Sequence, residues 1–458
     1  MYIEQIYTGC LSQASYYIES DGEAAIVDPI RDIECYLELA KERKTRIKYI
    51  FETHFHADFV SGHVELKKKT GAEIIYGPKA TASYEIVNAK DGQEFPIGKA
   101  AIKTIHTPGH TIESSCYLAI DENDKPVGVF SGDTLFVGEV GRVDLAAKSE
   151  LSDRTMAGML YNSLEKIKQL PDDVVVYPGH GAGSACGKNI SSETTSTIGE
   201  QKMNNYALQA MTREAFIDVV VTGIAPPPRY FYTDVLLNHT GYDDEASLAK
   251  NLRPVELNEF KKEIQAGALV IDSRKPEDFA KEHMPGAINI GLDGQYAIWA
   301  GNLFDNVPFL IVCDEGKEKE SIIRLARVGY DKAKGFLKGG LQTWKKEGNK
   351  TQSLESIKAT DFSGRLGKDT TVLDVRNEGE WASGVVKNAI TIPLAKLEES
   401  LSSLNKNAHY YIYCRSGYRS MIGASILQKH GFNKITNVMG GMNAISQTKI
   451  ELAVPEIV

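Results

Sequence analysis

Hydrophobic and polar positions alternate in short blocks through the first part of the chain. Residues 14–18 and 24–27 are compact apolar runs, the second ending at Asp28-Pro29, and 33–41 has the spacing of a helix. Runs of this length, bounded by turn residues, predict buried strands. Residues 47–51, 101–105, 127–130 and 174–177 continue the series. Each of these runs enters a loop that carries His or Asp: Thr53-His54-Phe55-His56-Ala57-Asp58, Thr107-Pro108-Gly109-His110, Ser131-Gly132-Asp133-Thr134 and Pro178-Gly179-His180-Gly181. Glycine and proline let such loops turn tightly enough to aim a side chain.

Beyond Pro226-Pro227-Pro228 the chain repeats itself. Val270-Ile271-Asp272-Ser273-Arg274 returns as Leu373-Asp374-Val375-Arg376, Ala287-Ile288-Asn289-Ile290 as Ala389-Ile390-Thr391-Ile392, and Gly339-Gly340-Leu341 as Gly440-Gly441-Met442. A duplicated unit of about 100 residues is the economical reading. Each copy alternates short apolar strands with helices, the pattern of a parallel sheet wrapped by helices. The expected organisation is a first domain over 1–225, a linker over 226–253, and repeat domains over 254–350 and 357–458.

Composition narrows the picture. At 458 residues the chain is long enough for several cores. A net charge of -9 without long single-sign blocks argues against a nucleic-acid partner. No run of about 18 apolar residues occurs, and Met1-Tyr2-Ile3-Glu4-Gln5 lacks the basic-then-apolar order of a signal peptide, so a cytoplasmic protein with no membrane partner is expected. Six cysteines, at 10, 35, 116, 186, 313 and 414, are too scattered for a disulfide framework. Each thiol therefore has to be judged by its neighbours.

In the first histidine loop, alternate residues of an extended segment point the same way, so His54, His56 and Asp58 are expected to converge as metal ligands. The bland alternative is a polar loop with surface histidines. The whole set, His54-x-His56-x-Asp58, His110, Asp133 and His180, resembles the metallo-β-lactamase superfamily over about residues 1–225, which implies an αβ/βα sandwich with metal at the edge between two sheets. Hydrolases of that superfamily such as glyoxalase II carry a further His directly after the motif's Asp; here that position is Phe59, which cannot ligate. The resemblance thus implies one metal on His54, His110 and Asp133, with His56, Asp58 and His180 beside the ligands or at a vestigial second site. Two imidazoles and one carboxylate suit non-haem Fe(II), one per chain, and the region is most similar to the persulfide dioxygenases, which oxidise a thiol persulfide with O2 to sulfite.

Two further residues are candidates here. Arg142, in Gly141-Arg142-Val143-Asp144, matches a position near the substrate in those dioxygenases and could pair with an anionic thiol carrier, or simply with Asp144. Cys186 lies in a loop of small residues with Lys188 nearby, which could favour thiolate and a role beside the substrate; close backbone packing is the alternative.

In the second repeat copy, residues 409–413 open into Cys414-Arg415-Ser416-Gly417-Tyr418-Arg419-Ser420. This resembles the rhodanese active-site loop, which implies a cradle of backbone N–H groups around a Cys414 persulfide, with Arg415 and Arg419 supplying positive charge. The first copy keeps Cys313 but follows it with Asp314-Glu315-Gly316-Lys317-Glu318-Lys319-Glu320, an acidic loop that would raise the thiol pKa and repel anionic sulfur. It is read as a degenerate rhodanese. The order of domains resembles the fused persulfide dioxygenase-sulfurtransferases of bacterial sulfide detoxification, which implies thiol persulfide, O2, sulfite and thiosulfate as small-molecule partners. An assembly of identical chains is also expected. The alternative is a dinuclear zinc thioester hydrolase of glyoxalase II type fused to a sulfurtransferase.

Overall fold

The computed structural model describes residues 1–145, 151–242, 251–367 and 370–454. The chain forms two compact units, one from the N-terminal half and one holding both repeat copies. Among the described residues, no helix is long and apolar enough to cross a membrane.

The N-terminal unit is built on two six-stranded sheets. The first takes its strands in chain order, Tyr2–Thr8, Gln13–Ser20, Glu23–Val27, Arg46–Phe51, Glu73–Tyr76 and Val87–Asn88. Its pairing changes from antiparallel to parallel after Glu23–Val27. The second sheet is centred on Ser115–Ile120 and Pro126–Gly132, with Val175–Pro178 parallel beside the latter. Aromatic residues from both sheets, Tyr16, Phe51, Phe95, Tyr117 and Phe130, interdigitate between them. Helices Glu34–Arg43 and His63–Thr70 belong to the first sheet, the former docked by Tyr36 Oη donating to Ser15 Oγ at 2.7 Å. Helices Asp153–Ile167 and Arg213–Val221 cover the second through Met156, Leu160, Leu164 and Phe216. This is the expected αβ/βα sandwich.

The other unit contains two five-stranded parallel sheets whose strand orders correspond one to one. Leu269–Asp272 and Phe309–Val312 in one, and Tyr410–Tyr413 in the other, are buried at every position, as a parallel sheet covered on both faces requires. Each copy ends an inner strand in a buried Asp that clasps the Arg two residues on. Arg274 Nε donates to Asp272 Oδ1 at 2.9 Å, and Arg376 donates to Asp374 Oδ1 from Nε at 3.1 Å and to Oδ2 from Nη2 at 2.7 Å. Asp374 and Arg376 are therefore part of the frame, and the duplication is structural as well as textual.

One segment departs from expectation. Residues 226–253, read as a linker, contain the helix Phe231–Thr240, which packs into the N-terminal unit. Its Asn238 is fully buried: Oδ1 accepts from Ser61 N at 2.8 Å, and Nδ2 donates to the carbonyls of His56 and Phe59 at 2.8 and 2.7 Å. The next residue, His239, stacks on Phe55 with ring centroids 4.4 Å apart. The helix thus clamps the histidine loop, a role invisible in a stretch with weak helical patterning. Asn238→Ala leaves three buried backbone groups without partners, and equilibrium urea denaturation of the N-terminal unit should show a loss of about 2–4 kcal/mol.

Candidate metal centre and sulfur-transfer loop

Asp28, at the end of strand Glu23–Val27, accepts from Thr53 N at 2.7 Å and from Thr53 Oγ1 at 2.8 Å. The Thr53 hydroxyl proton is thereby committed, so its oxygen accepts from His54 Nδ1–H at 3.0 Å. His110 Nδ1 donates to the Arg142 carbonyl at 2.7 Å and His180 Nδ1 to the Ser12 carbonyl at 3.2 Å. In each ring this leaves Nε2 with its lone pair. Those three nitrogens and both carboxylate oxygens of Asp133 are buried with no hydrogen-bond partner. Buried polar atoms are normally satisfied, and a converging set of lone pairs is one that a cation would satisfy.

The donors fall into separate groups. His110 Nε2 lies 3.4 Å and His54 Nε2 4.0 Å from Asp133 Oδ2, and the donor atoms of this trio all lie within 4.8 Å of one another. Burial first, and then the neighbouring histidines, hold His54 well below the usual imidazole pKa, the neutral form a metal would need. Asp133 reaches this point because Gly132 turns with φ +49° and because Gly179 lies so close that a Cβ there would come within 2.7 Å of Asp133 Oδ1. On the other side of Asp133, its Oδ1 is 3.5 Å from His180 Nε2, which is 3.3 Å from Asp58 Oδ2. Cys186 completes this second group, its donor atom within 4.8 Å of those of Asp58 and His180.

His56 belongs to neither but to a third group, with Asp28 and Glu52, whose donor atoms also lie within 4.8 Å of one another. The convergence of His54, His56 and Asp58 assumed an extended segment, but strand Arg46–Phe51 ends before the loop. His56 Nε2 instead lies 3.1 Å from Asp28 Oδ1 and 3.4 Å from Glu52 Oε2, with Phe59 against its ring at 4.2 Å between centroids. Burial favours the neutral ring, but the two carboxylates outweigh it and hold His56 well above the usual pKa. Burial likewise raises Glu52. Asp28 and Glu52 were not candidates in the sequence; Asp28-Pro29 at a strand end was the available signal.

Two other expectations are corrected. Arg142 is buried and largely committed: it forks onto Asp144 with two bonds of 2.7 Å and donates to the Ala185 and Ala225 carbonyls at 3.0 and 2.7 Å. Its backbone N–H also donates to the Cys186 carbonyl at 2.9 Å. It positions the Cys186 loop, with four of its five side-chain N–H groups taken inside the protein. Lys188 does not activate Cys186, since its ammonium donates to the carbonyls of Val219, Val220 and Thr222 at the end of a helix. Burial, then Asp58 and Asp133, push the Cys186 thiol well up.

In the second repeat copy, Cys414 follows strand Tyr410–Tyr413 and its Sγ accepts from Gly417 N at 3.1 Å. Helix Tyr418–Lys429 begins there, so its N-terminal dipole faces the sulfur. Met442 N donates to the Cys414 carbonyl at 2.7 Å, and a Cβ on Gly441 would come within 2.3 Å of that oxygen, so the loop is closed by a second helix start. Arg415 is exposed. Arg419 is held by Glu380, a residue the sequence reading missed, through bonds of 2.6 and 2.7 Å. Its charge still acts on Cys414, but it is paired rather than free.

The matching thiol in the first copy meets the opposite field. Burial, then Glu318, Asp272 and Asp314, push Cys313 up to about 12. Ser273 Oγ and Ser321 Oγ share a hydrogen bond of 2.8 Å within that copy.

Comparison with known proteins agrees with this anatomy. The metallo-beta-lactamase superfamily model matches residues 8–180, and the rhodanese-like domain model matches 256–347 and 358–448. A crystal structure of a metallo-beta-lactamase from Staphylococcus aureus COL is 31% identical, covering 73% of this chain and 98% of that one with a TM-score of 0.64. A hydroxyacylglutathione hydrolase from Polaromonas sp. JS666 is 32% identical over 186 residues, 39% of this chain and 66% of the relative. A crystal structure of ETHE1 from Myxococcus xanthus is 28% identical, covering 52% of this chain and 98% of that one with a TM-score of 0.45. The chain belongs to the metallo-beta-lactamase superfamily and carries two rhodanese-like domains after its metallo-beta-lactamase domain. It spans between 51% and 66% of the length of the first curated relatives it matches.

The field around Cys313 has a direct chemical consequence. With a pKa of about 12, its thiolate fraction at pH 8 is on the order of one in ten thousand. A brief iodoacetamide pulse at pH 8, read by peptide mass spectrometry, should leave Cys313 unmodified and label it only as the pH approaches 11.

Proposed function

We propose that the chain is a persulfide dioxygenase joined to a rhodanese-type sulfurtransferase, acting in cytoplasmic sulfide detoxification. The observation that carries this reading is the diversion of His56 to Asp28 and Glu52. It leaves His54, His110 and Asp133 as a set of two imidazoles and one carboxylate, donors that would suit mononuclear non-haem Fe(II). When bound there, Fe(II) supplies the redox chemistry by which O2 oxidises a sulfane sulfur.

The chain's own residues do the rest. Thr53 and the Arg142 carbonyl fix the His54 and His110 rings, and Asp133 contributes one negative charge. The net reaction is R–S–SH + O2 + H2O → R–SH + sulfite + two protons, the sulfane sulfur giving four electrons to O2. In the C-terminal domain the Gly417 N–H and the helix start stabilise sulfur on Cys414. A Cys414 persulfide attacked at its outer sulfur by sulfite gives thiosulfate and returns the Cys414 thiolate.

A second reading is a dinuclear zinc thioester hydrolase. It is favoured by the hydroxyacylglutathione hydrolases among the relatives and by Asp58, His180 and Cys186 as a second donor group. The two readings separate on metal content and oxygen uptake. The purified full chain should hold about one iron and consume O2 with glutathione persulfide, the three-ligand site being mononuclear. His110→Ala should abolish that uptake, and Cys414→Ser should retain it while ending thiosulfate formation. Two zinc ions, no oxygen uptake and turnover of a glutathione thioester would establish the hydrolase instead.

A further inference from the structure

Next to the Cys414 loop lies a cavity of about 600 Å³ between the two repeat copies. The loop contributes Ser416, Gly417 and Tyr418, and Gly417 is the residue whose N–H reaches Cys414 Sγ. The facing wall comes from the first copy and carries both signs of charge, Lys275 and Lys281 with Glu277 and Asp293. Leu354 and, from the second copy, Met421 and Met439 make the cavity apolar elsewhere. The first copy is built into the active loop as well. Tyr418 Oη donates to the Gly291 carbonyl at 2.6 Å, and its ring lies so close to Gly294 that a Cβ there would approach to 2.5 Å.

We propose that the first repeat copy is the recognition half of the second copy's sulfur-transfer site, and that the cavity holds the organic part of a zwitterionic low-molecular-weight thiol of amino-acid or peptide type. This rests on the reading of Cys414 as a sulfur carrier. Size is the first argument: sulfite would fill a corner of this space, whereas cavities of ~300–1,000 Å³ are those that enclose organic ligands. Charge is the second. A purely anionic acceptor calls for a basic wall, but this wall pairs its lysines with acids, Lys275 Nζ lying 3.9 Å from Asp293, and so matches a ligand bearing both ammonium and carboxylate. Lys275 and Lys281 keep 64% and 75% of their side-chain surface exposed, and although Lys281 Nζ donates to Asp278 at 2.8 Å, an ammonium has three N–H groups and so can still meet a carboxylate.

The step served is an exchange without net redox. The Cys414 thiolate attacks the outer sulfur of R–S–SH, the carrier's S–S bond breaks, R–S⁻ leaves, and Cys414 keeps the sulfane sulfur and its proton. The reverse loads a thiol from Cys414.

The test uses the full chain with thiosulfate as donor and sulfite release as readout, comparing glutathione with 2-mercaptoethanol as acceptors and cyanide as a minimal one. Wild type should prefer glutathione in kcat/KM. Lys275→Glu with Lys281→Glu should lower the glutathione to 2-mercaptoethanol ratio by about tenfold, through KM. Asp293→Asn, a milder change, should lower it less, and Lys406→Glu, exposed and at the end of strand Tyr410–Tyr413 opposite Cys414, should leave it unchanged. An unchanged ratio in the double variant, or no preference among thiols in a wild type that turns over cyanide, overturns the assignment of the cavity. A wild type that transfers sulfur to none of the three overturns the sulfur-carrier reading, and this inference with it.

Discussion

The N-terminal site depends on the carboxylate of Asp28. One oxygen takes Thr53 N and the other Thr53 Oγ1, and the first also faces His56. The consequences run in two directions. Through Thr53 the carboxylate sets which nitrogen of His54 is protonated and so turns a lone pair toward Asp133. Through His56 it removes a third imidazole from the same point. A single buried charge thus defines both the members and the number of the donor set, and Phe59 against the His56 ring seals the arrangement from the other side.

The C-terminal unit shows how one scaffold carries two electrostatic outcomes. Both copies hold the same buried Asp–Arg clasp at the same strand end. What differs is the few residues after the cysteine. Acidic residues around Cys313 add to burial and suppress its thiolate. At Cys414 a helix start and Arg419 bear on the sulfur, and Glu380 holds that arginine in place. The copy with the suppressed thiol keeps the full fold, and the Tyr418 and Gly291 contact ties it to the Cys414 loop.

Much of this was legible in the chain. Strands ending in His or Asp loops, the repeat, and the charge contrast between the Cys313 and Cys414 loops are local patterns, readable because alternation, turn residues and loop charge act over a few positions. Misread features all involve partners far away in sequence. Arg142 could be an anion binder until Asp144, Ala185 and Ala225 took four of its five donors. Lys188 could activate Cys186 until a helix end captured it. Asn238 lay in an apparent linker and is a clamp.

The sequence by itself determined the two-part architecture, the ligand types, and the loop charges that separate Cys414 from Cys313, because these follow from residue identity and short-range spacing. Tertiary structure alone decided that His56 leaves the donor set while Cys186 joins His180 and Asp58, and that the first repeat walls the second's cavity. The physical reason is that a lone pair or a charge has two or three competing partners within reach. Which one it takes depends on burial and on atoms brought in from remote segments.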